Sequence, residues 1–338
     1  MTITKRIDNV TLIEQNFLQP ICPPPPSIKT ETSNRCNYRC TFCALRTREQ
    51  QGHEDMPWES LEHVMNMAYA AGVEEWGCFY LGESTMAPEL LIREIQYAKR
   101  IGFRYVFLTT NGSLLNKSLL VKLMEAGLDS LKFSINAKDD RQFEEVMGVK
   151  AKNFHKALDN VKLARQLRDS LKFSTRLYAS YIRFDGLQAK AMEDLLSEKV
   201  RPFVDECYAL PLYSMGLQAA EIEMATGFKP THGNMGRVNE ETGLPQRPGI
   251  PCWSVFKEAH VRINQDNGHP ILSACCFGAD SRFDICDLMD YSVDEFDKAW
   301  NHPKLQAIRT AHLDCLRTGN TDPLKGTMCE VCVAFGSA

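Results

Sequence analysis

No stretch of this 338-residue chain approaches the roughly 20 consecutive apolar residues that a membrane-spanning helix needs. Its first residues, Met1-Thr2-Ile3-Thr4-Lys5-Arg6, lack the apolar core of a secretory signal. Neither charge is in excess. The 43 acidic and 39 basic residues leave a formal charge of −4, which makes no electrostatic case for a nucleic-acid or membrane partner. There is no internal repeat and no low-complexity segment beyond four prolines, no P-loop, no Ser-His-Asp arrangement and no paired-carboxylate signature. The eight histidines include no pair at metal-ligand spacing. A hydrophobic share of 44% and a charged share of 24% are those of an ordinary soluble protein that handles small molecules. What the sequence has in excess is cysteine. Its thirteen cysteines, without a secretion signal, read as thiolate ligands in a reducing cytoplasm and not as a disulfide framework.

Three of them lie in Cys36-Asn37-Tyr38-Arg39-Cys40-Thr41-Phe42-Cys43. Such spacing lets one short loop wrap three corners of an iron–sulfur cube and leaves the fourth iron without a protein ligand. A structural zinc site asks for four closed ligands, and no fourth Cys or His follows nearby. The alternative is a surface zinc or redox cluster. Residues 1–27 read as a lead-in containing the stiff run Pro23-Pro24-Pro25-Pro26, and residues 28–32 suit a first strand. Strand patterns then recur at 75–81, 105–109, 130–134, 172–182 and 204–210. Helical patterns recur at 61–71, 90–101, 115–126, 153–168 and 187–197. This alternation implies right-handed crossovers and a parallel sheet, with too few units for a closed eight-stranded barrel. Glycines and prolines break up residues 211–251, a linker or substrate loop, and a second cysteine-rich region runs from Cys252 to Cys332.

The cysteine loop closely resembles the signature of the radical S-adenosylmethionine (radical SAM) enzymes. The resemblance implies a partial (β/α)6 barrel over residues 28–210, a 4Fe–4S cluster on Cys36, Cys40 and Cys43, and SAM chelated to the open iron and cleaved to a 5′-deoxyadenosyl radical. Ligands of parallel α/β folds sit at the C-terminal ends of the strands, and the remaining motifs fall there. Leu81-Gly82-Glu83 resembles the family's Gly-Gly-Glu motif for the SAM amino group, with Leu81 where the first Gly is usual. Thr109-Thr110-Asn111-Gly112 looks like the Thr-Asn-Gly corner. Thr109 is the residue expected to reach SAM, while Asn111 and Gly112 also read as plain turn residues. By the same resemblance Ser134 lies near the SAM carboxylate or ribose, and the Phe42 backbone contacts adenine. Arg176, expected inside the fifth strand, grips a SAM carboxylate; its alternative is an ion pair with a barrel acid such as Glu31.

Cys252, the segment Gly268-His269-Pro270-Ile271-Leu272-Ser273-Ala274-Cys275-Cys276 and the pair in Cys329-Glu330-Val331-Cys332 resemble the SPASM/Twitch extension behind many such barrels. The chain ends six residues past Cys332, where a full SPASM domain would need further cysteines. The expectation is therefore a Twitch (half-SPASM) domain over 252–338, with one auxiliary 4Fe–4S cluster on Cys252, Cys275, Cys329 and Cys332. Cys276 could replace Cys275, and zinc is the other possible occupant. Two clusters and SAM then serve to oxidise a small polar, sugar- or cyclitol-like substrate, with the auxiliary cluster as electron acceptor and a flavodoxin- or ferredoxin-type reductant. The catalytic side chain is left open. Arg237, in a loop loosely similar to one in known dehydrogenases, and Tyr208 are the candidates, with Asp205 and Glu206 as further possible bases. The alternatives are a peptide-modifying enzyme, an epimerase using Cys207 or Cys315 as hydrogen donor, and a two-cluster electron carrier that never cleaves SAM.

Overall fold

A computed structural model describes residues 2–47, 52–184, 186–212, 237–246, 249–278, 281–330 and 332. Six strands run parallel and neighbour one another in chain order: β1 (Ser27–Thr30), β2 (Glu75–Gly77), β3 (Tyr105–Thr110), β4 (Ser130–Ser134), β5 (Arg176–Ile182) and β6 (Glu206–Leu210). The crossovers form where the sequence supplies helix signals. Before them all, residues 3–11 form α1 (Ile3–Thr11), and α2 (Trp58–Ala70) links β1 to β2. Then α3 (Pro88–Ile101) starts with proline in its first turn and stops at Gly102 in the left-handed conformation. The Asn116 side chain caps α4 (Lys117–Glu125), and Asp139 caps α5 (Asp140–Met147), an element the periodicity does not reveal. α6 (Lys152–Leu171) and α7 (Leu187–Lys199) complete the set.

Strand residues alternate between two environments. Ile28, Trp76, Val106, Leu131, Phe133 and Leu177 are buried in the main core, beneath the helices. Lys29, Phe107, Lys132, Tyr178 and Tyr208 face a cavity inside the curved sheet. Each fully buried large apolar side chain contributes about 1.5–3 kcal/mol, so the sheet–helix layer holds the fold and leaves the lumen wall free for polar groups.

Two features depart from expectation. First, the lead-in contains α1, which closes the N-terminal end of the lumen. Ile3, Ile7 and Val10 line the same cavity as Ser27, Glu75, Tyr105 and Ser130, the first residues of β1 to β4. Glu206 accepts hydrogen bonds from the Ile3 and Thr4 amides (2.8 and 3.3 Å), placing a carboxylate at the positive end of the helix. At the other end Lys257 donates to the carbonyls of Asn9 (2.9 Å) and Leu12 (2.7 Å). Second, the sheet continues past β1. β7 (Glu258–Ile263) pairs with it in parallel, and β8 (Pro270–Ser273) and β9 (Asp284–Asp287) follow antiparallel, giving one nine-stranded sheet. The C-terminal cysteine region thus grows out of the barrel's own sheet. A last helix, α8 (Pro303–Thr318), is anchored by the buried Arg309, which donates to the Val255 carbonyl at 2.8 Å and the Pro20 carbonyl at 3.1 Å.

Candidate active site

The three-cysteine loop leaves the C-terminal end of β1 and is fixed by its backbone. The Arg39 amide donates to the Met147 carbonyl (3.0 Å) and the Thr41 amide to the Val146 carbonyl (2.8 Å), both at the end of α5. Gly148 follows with φ +65°, and a Cβ there would meet the Arg39 carbonyl at 2.8 Å, so the turn admits only glycine comfortably. Tyr38 packs edge-on against Phe143 at 5.4 Å. Cys36, Cys40 and Cys43 all line the cavity.

Their chemistry fits a cluster. The Cys36 thiol is pushed up to about 12, chiefly by burial, then by the Glu83 charge and by Cys43. Cys40 is also raised, by burial and then by the charges of Cys43 and Cys36. Three thiolates so close destabilise one another unless positive charge arrives among them. Among the described residues no three Cys, His, Asp or Glu side chains are gathered for a single metal ion. A cluster asks for something else, since each thiolate binds its own iron.

Around this loop the other motifs form one hydrogen-bonded frame. Gly82 lies against the chain entering the loop. A Cβ there would sit 1.8 Å from the Ser33 carbonyl oxygen, and the neighbouring Glu83 amide donates to the Arg35 carbonyl at 2.8 Å. The close approach that the family motif needs is therefore made at Gly82, whatever residue 81 is. Glu83 is 3% exposed, and its carboxylate accepts from the Thr85 and Thr110 hydroxyls (2.6 and 2.7 Å) and the Asn111 amide (2.8 Å). No ion pair to it occurs among the described residues, so this buried negative charge fits the cationic amino group of SAM. Asn111 in turn donates to Asn37 at 2.8 Å, tying the end of β3 to the cysteine loop. Thr109, Ser134 and Phe42 line the cavity as well.

Arg176 does not join them. It is the exposed first residue of β5, paired in register with Ser130 at the N-terminal end of the barrel and not among the cavity residues. The fifth strand starts at 176, not 172, because α6 runs to Leu171 and Lys172 ends it in the left-handed conformation (φ 59°). Nor does Arg176 meet Glu31, which is buried and accepts from the Ile263 amide at 3.0 Å.

Of the four possible catalytic side chains, Tyr208 lines the cavity. Asp205 is bound by Arg168 (2.7 Å) and Glu206 caps α1. Arg237 is paired with Asp8 of α1 at 3.0 Å, outside the cavity lining. The rest of its loop, Gly233 to Gly236, lies outside the described residues. Cys207 and Cys315 do not face the cavity. The sequence reading missed Lys29, Lys132, Tyr178 and Asn136, all lumen residues; the polar alternation of Ser130, Lys132 and Ser134 against Leu131 and Phe133 was the available signal.

The C-terminal cysteines lie within electrostatic reach of one another. Cys252 feels the charges of Cys275 and Cys332; Cys329 feels those of Cys275, Cys252 and Cys332, and both thiols are raised, burial being the main cause. Cys276 is raised by burial and hydrogen-bonds Cys275, which favours the Cys275 thiolate. Cys276 lines the lumen and feels the charge of Cys252, while the charge of Cys275 acts on both Cys252 and Cys329. The cavity as a whole measures about 390 Å³, a small-molecule size.

Comparison with known proteins bears on the family and the fold. The family model of the radical SAM superfamily matches residues 30–177. A probable GTP 3′,8-cyclase of Sulfurisphaera tokodaii is 24% identical over 309 residues, covering 84% of this chain and 90% of that protein. One from Saccharolobus islandicus is 30% identical over 143 residues, 42% of this chain and 44% of that protein. Among solved structures, Streptococcus suis SuiB bound to its precursor peptide SuiA superposes with a TM-score of 0.60 at 14% identity, covering 92% of this chain and 76% of that one. BtrN in complex with AdoMet and 2-DOIA gives 0.51 at 14% identity, covering 88% and 90%. At such identities the structural likeness concerns the fold.

Proposed function

Because this chain is a radical SAM enzyme with its family domain in residues 30–177, we propose that it oxidises a small polar substrate held in the barrel lumen between two iron–sulfur sites. When bound, a cluster on Cys36, Cys40 and Cys43 with SAM supplies a 5′-deoxyadenosyl radical, and a second cluster on Cys252, Cys275, Cys329 and Cys332 supplies an electron acceptor. The observation that carries the reading is the shared cavity, lined by Cys36, Cys40 and Cys43 at one end and by Cys276, neighbour of Cys275, at its side. A substrate in that lumen lies within reach of both cysteine groups.

The chain's own residues do the positioning. Glu83 holds the SAM amino group in place, and Thr109 and Ser134 flank it. Phe79, Phe107, Trp253 and Phe277 wall the lumen with rings and keep water from the reacting carbon. Tyr208 offers a hydroxyl to the substrate. A flavodoxin- or ferredoxin-type protein supplies the priming electron.

The test is anaerobic reconstitution followed by iron counting, 5′-deoxyadenosine assay with dithionite, and mass analysis of products from candidate sugars, cyclitols and nucleotides. The reading expects a product lighter by two hydrogens. A product of unchanged mass, formed by ring closure or epimerisation, would overturn the oxidation; the curated relatives bear the name of a cyclase. Modification of a peptide is the further alternative, motivated by the likeness to SuiB with its peptide.

A further inference from the structure

We propose that the lumen contains an anion-binding subsite centred on Lys132, which takes the carboxylate or phosphate group of a small-molecule substrate. This deepens the reading above by naming the substrate's class. It rests on the lumen being the substrate site and not on the oxidation.

The argument is one of charge balance inside the barrel. Three cationic side chains line the lumen: Arg6 of α1, Lys29 of β1 and Lys132 of β4. Arg6 is paired with Glu75 and lies over the Tyr105 ring at 3.5 Å. Lys29 is paired with Glu258 at 2.7 Å, and Glu258 also bonds His260 at 2.9 Å. Burial keeps His260 neutral, while Lys29 and His260 hold Glu258 down to about 2 against its own burial. These groups cancel one another, and the third lumen carboxylate, Glu83, is bonded by Thr85, Thr110 and Asn111 and is not among the charges that act on Lys132. Lys132 has no ion pair or hydrogen bond to a carboxylate among the described residues. Its ammonium stands 5.9 Å from the ring centres of both Phe79 and Tyr208. In the sheet Lys132 is in register with Thr109 of β3 and Tyr178 of β5, and all of these line the lumen.

A partly buried ammonium with rings beside it and no carboxylate in bonding contact is costly to keep in a barrel interior. Desolvation is the first cause that lowers it, to about 7; the Lys29 charge lowers it further and Glu258 opposes. At neutral pH the site is therefore poised between amine and ammonium. An arriving carboxylate or phosphate supplies the missing negative charge, draws a proton onto Lys132, and finds hydroxyl donors on the Tyr178 and Tyr208 side of the lumen.

The experiment uses the anaerobically reconstituted protein and small anions as probes. A short pulse of a neutral succinimidyl ester at pH 7, read by peptide mass spectrometry, should acylate Lys132 faster than a surface lysine such as Lys122. Inorganic phosphate or acetate at millimolar concentration should slow that reaction several-fold, and chloride at matched ionic strength should not. Whichever anion protects more strongly identifies the headgroup. Calorimetric titration with the protecting anion in buffers of different ionisation heat should show proton uptake in the wild type. Lys132→Arg should keep binding without proton uptake, and Lys132→Met should show neither. Should the variants fail to fold, labelling of the wild type decides alone. Labelling of Lys132 that neither anion slows would overturn the proposal. None of these readouts needs SAM cleavage, so failure of the oxidation reading would leave this result standing, and the reverse also holds.

Discussion

The two cysteine groups of this protein are built in opposite ways. Cys36, Cys40 and Cys43 come from one loop of eight residues, locked by backbone hydrogen bonds to the end of α5 and by the backbone approach at Gly82. Cys252, Cys275, Cys276, Cys329 and Cys332 come from three segments that meet only because β7 docks on β1 and the chain returns after α8. The first group is held by local structure and would keep its shape without iron. The second has tertiary structure on one side and thiolates on the other, so a cluster bound there as proposed would itself add to folding. A local site should fail chemically when broken, and an assembled one should fail both chemically and structurally.

The sharpest way to break this comparison is at the first group. Cys40→Ala should abolish 5′-deoxyadenosine formation while the protein remains folded by circular dichroism; any retained SAM cleavage would show that Cys40 is not a ligand. Next, Cys329→Ala/Cys332→Ala should bind roughly half the iron, melt at lower temperature, still release some 5′-deoxyadenosine and give no oxidised product. Iron counting, melting and product assay on one sample check it, and unchanged iron would remove both residues from the ligand set. Third, Gly82→Ala forces a methyl group against the Ser33 carbonyl. It should cost about 1–3 kcal/mol or more and weaken cluster retention in the first group without touching the second; denaturant melts and iron analysis would report it.

Glu94 isolates the barrel with no metal involved. It is fully buried and accepts from Thr32 (2.7 Å) and Trp76 (2.8 Å), just behind the strand that delivers the cysteine loop. Burial raises its carboxyl from an ordinary 4.5 to about 7. The unfolded chain therefore releases that proton first. Stability is full below about 4.5, falls as pH climbs to about 7 and stays lower beyond. Glu94→Gln should remove that fall, gaining on the order of 3 kcal/mol at pH 8 relative to its effect at pH 4.5; melting curves at the two pH values test the sign. The smallest effect should come from Arg237→Ala. A half-exposed pair with Asp8 contributes no more than about 1 kcal/mol, and SAM cleavage by this variant should match the wild type. A large loss of turnover would place Arg237 in the active site after all.

The same contrast decides what could be read from the sequence. The strand at 130–134 and the helices after β2 and β3 lie within a few residues of their expected places, because caps such as Asn116 and stops such as Gly102 are local chemistry. That the cysteine loop, Gly82, Glu83 and Thr109 meet around one cavity was likewise legible, because each belongs to a short motif at the end of a strand. Arg176 was misplaced because one left-handed residue, Lys172, sets where β5 begins, and four residues decide whether a guanidinium sits at the base of the barrel or in its middle. α1 had a readable signal in the helical spacing of Ile3, Ile7 and Val10, hidden by its distance from every motif. Lys132 and its missing counter-ion were not legible, since which cations are paired depends on partners such as Glu258, more than 200 residues from Lys29.

The pairing of β7 with β1 has a consequence for self-association. Every strand offers hydrogen bonds on two sides, and β1 spends its second side on β7. A protein cut before Cys252 would present the Ser27–Thr30 edge unpaired, a template for the same strand of another molecule. The C-terminal region therefore also covers the barrel's open edge, and barrel-only fragments should come out of expression as aggregates or strand-exchanged oligomers, not as a simpler working half.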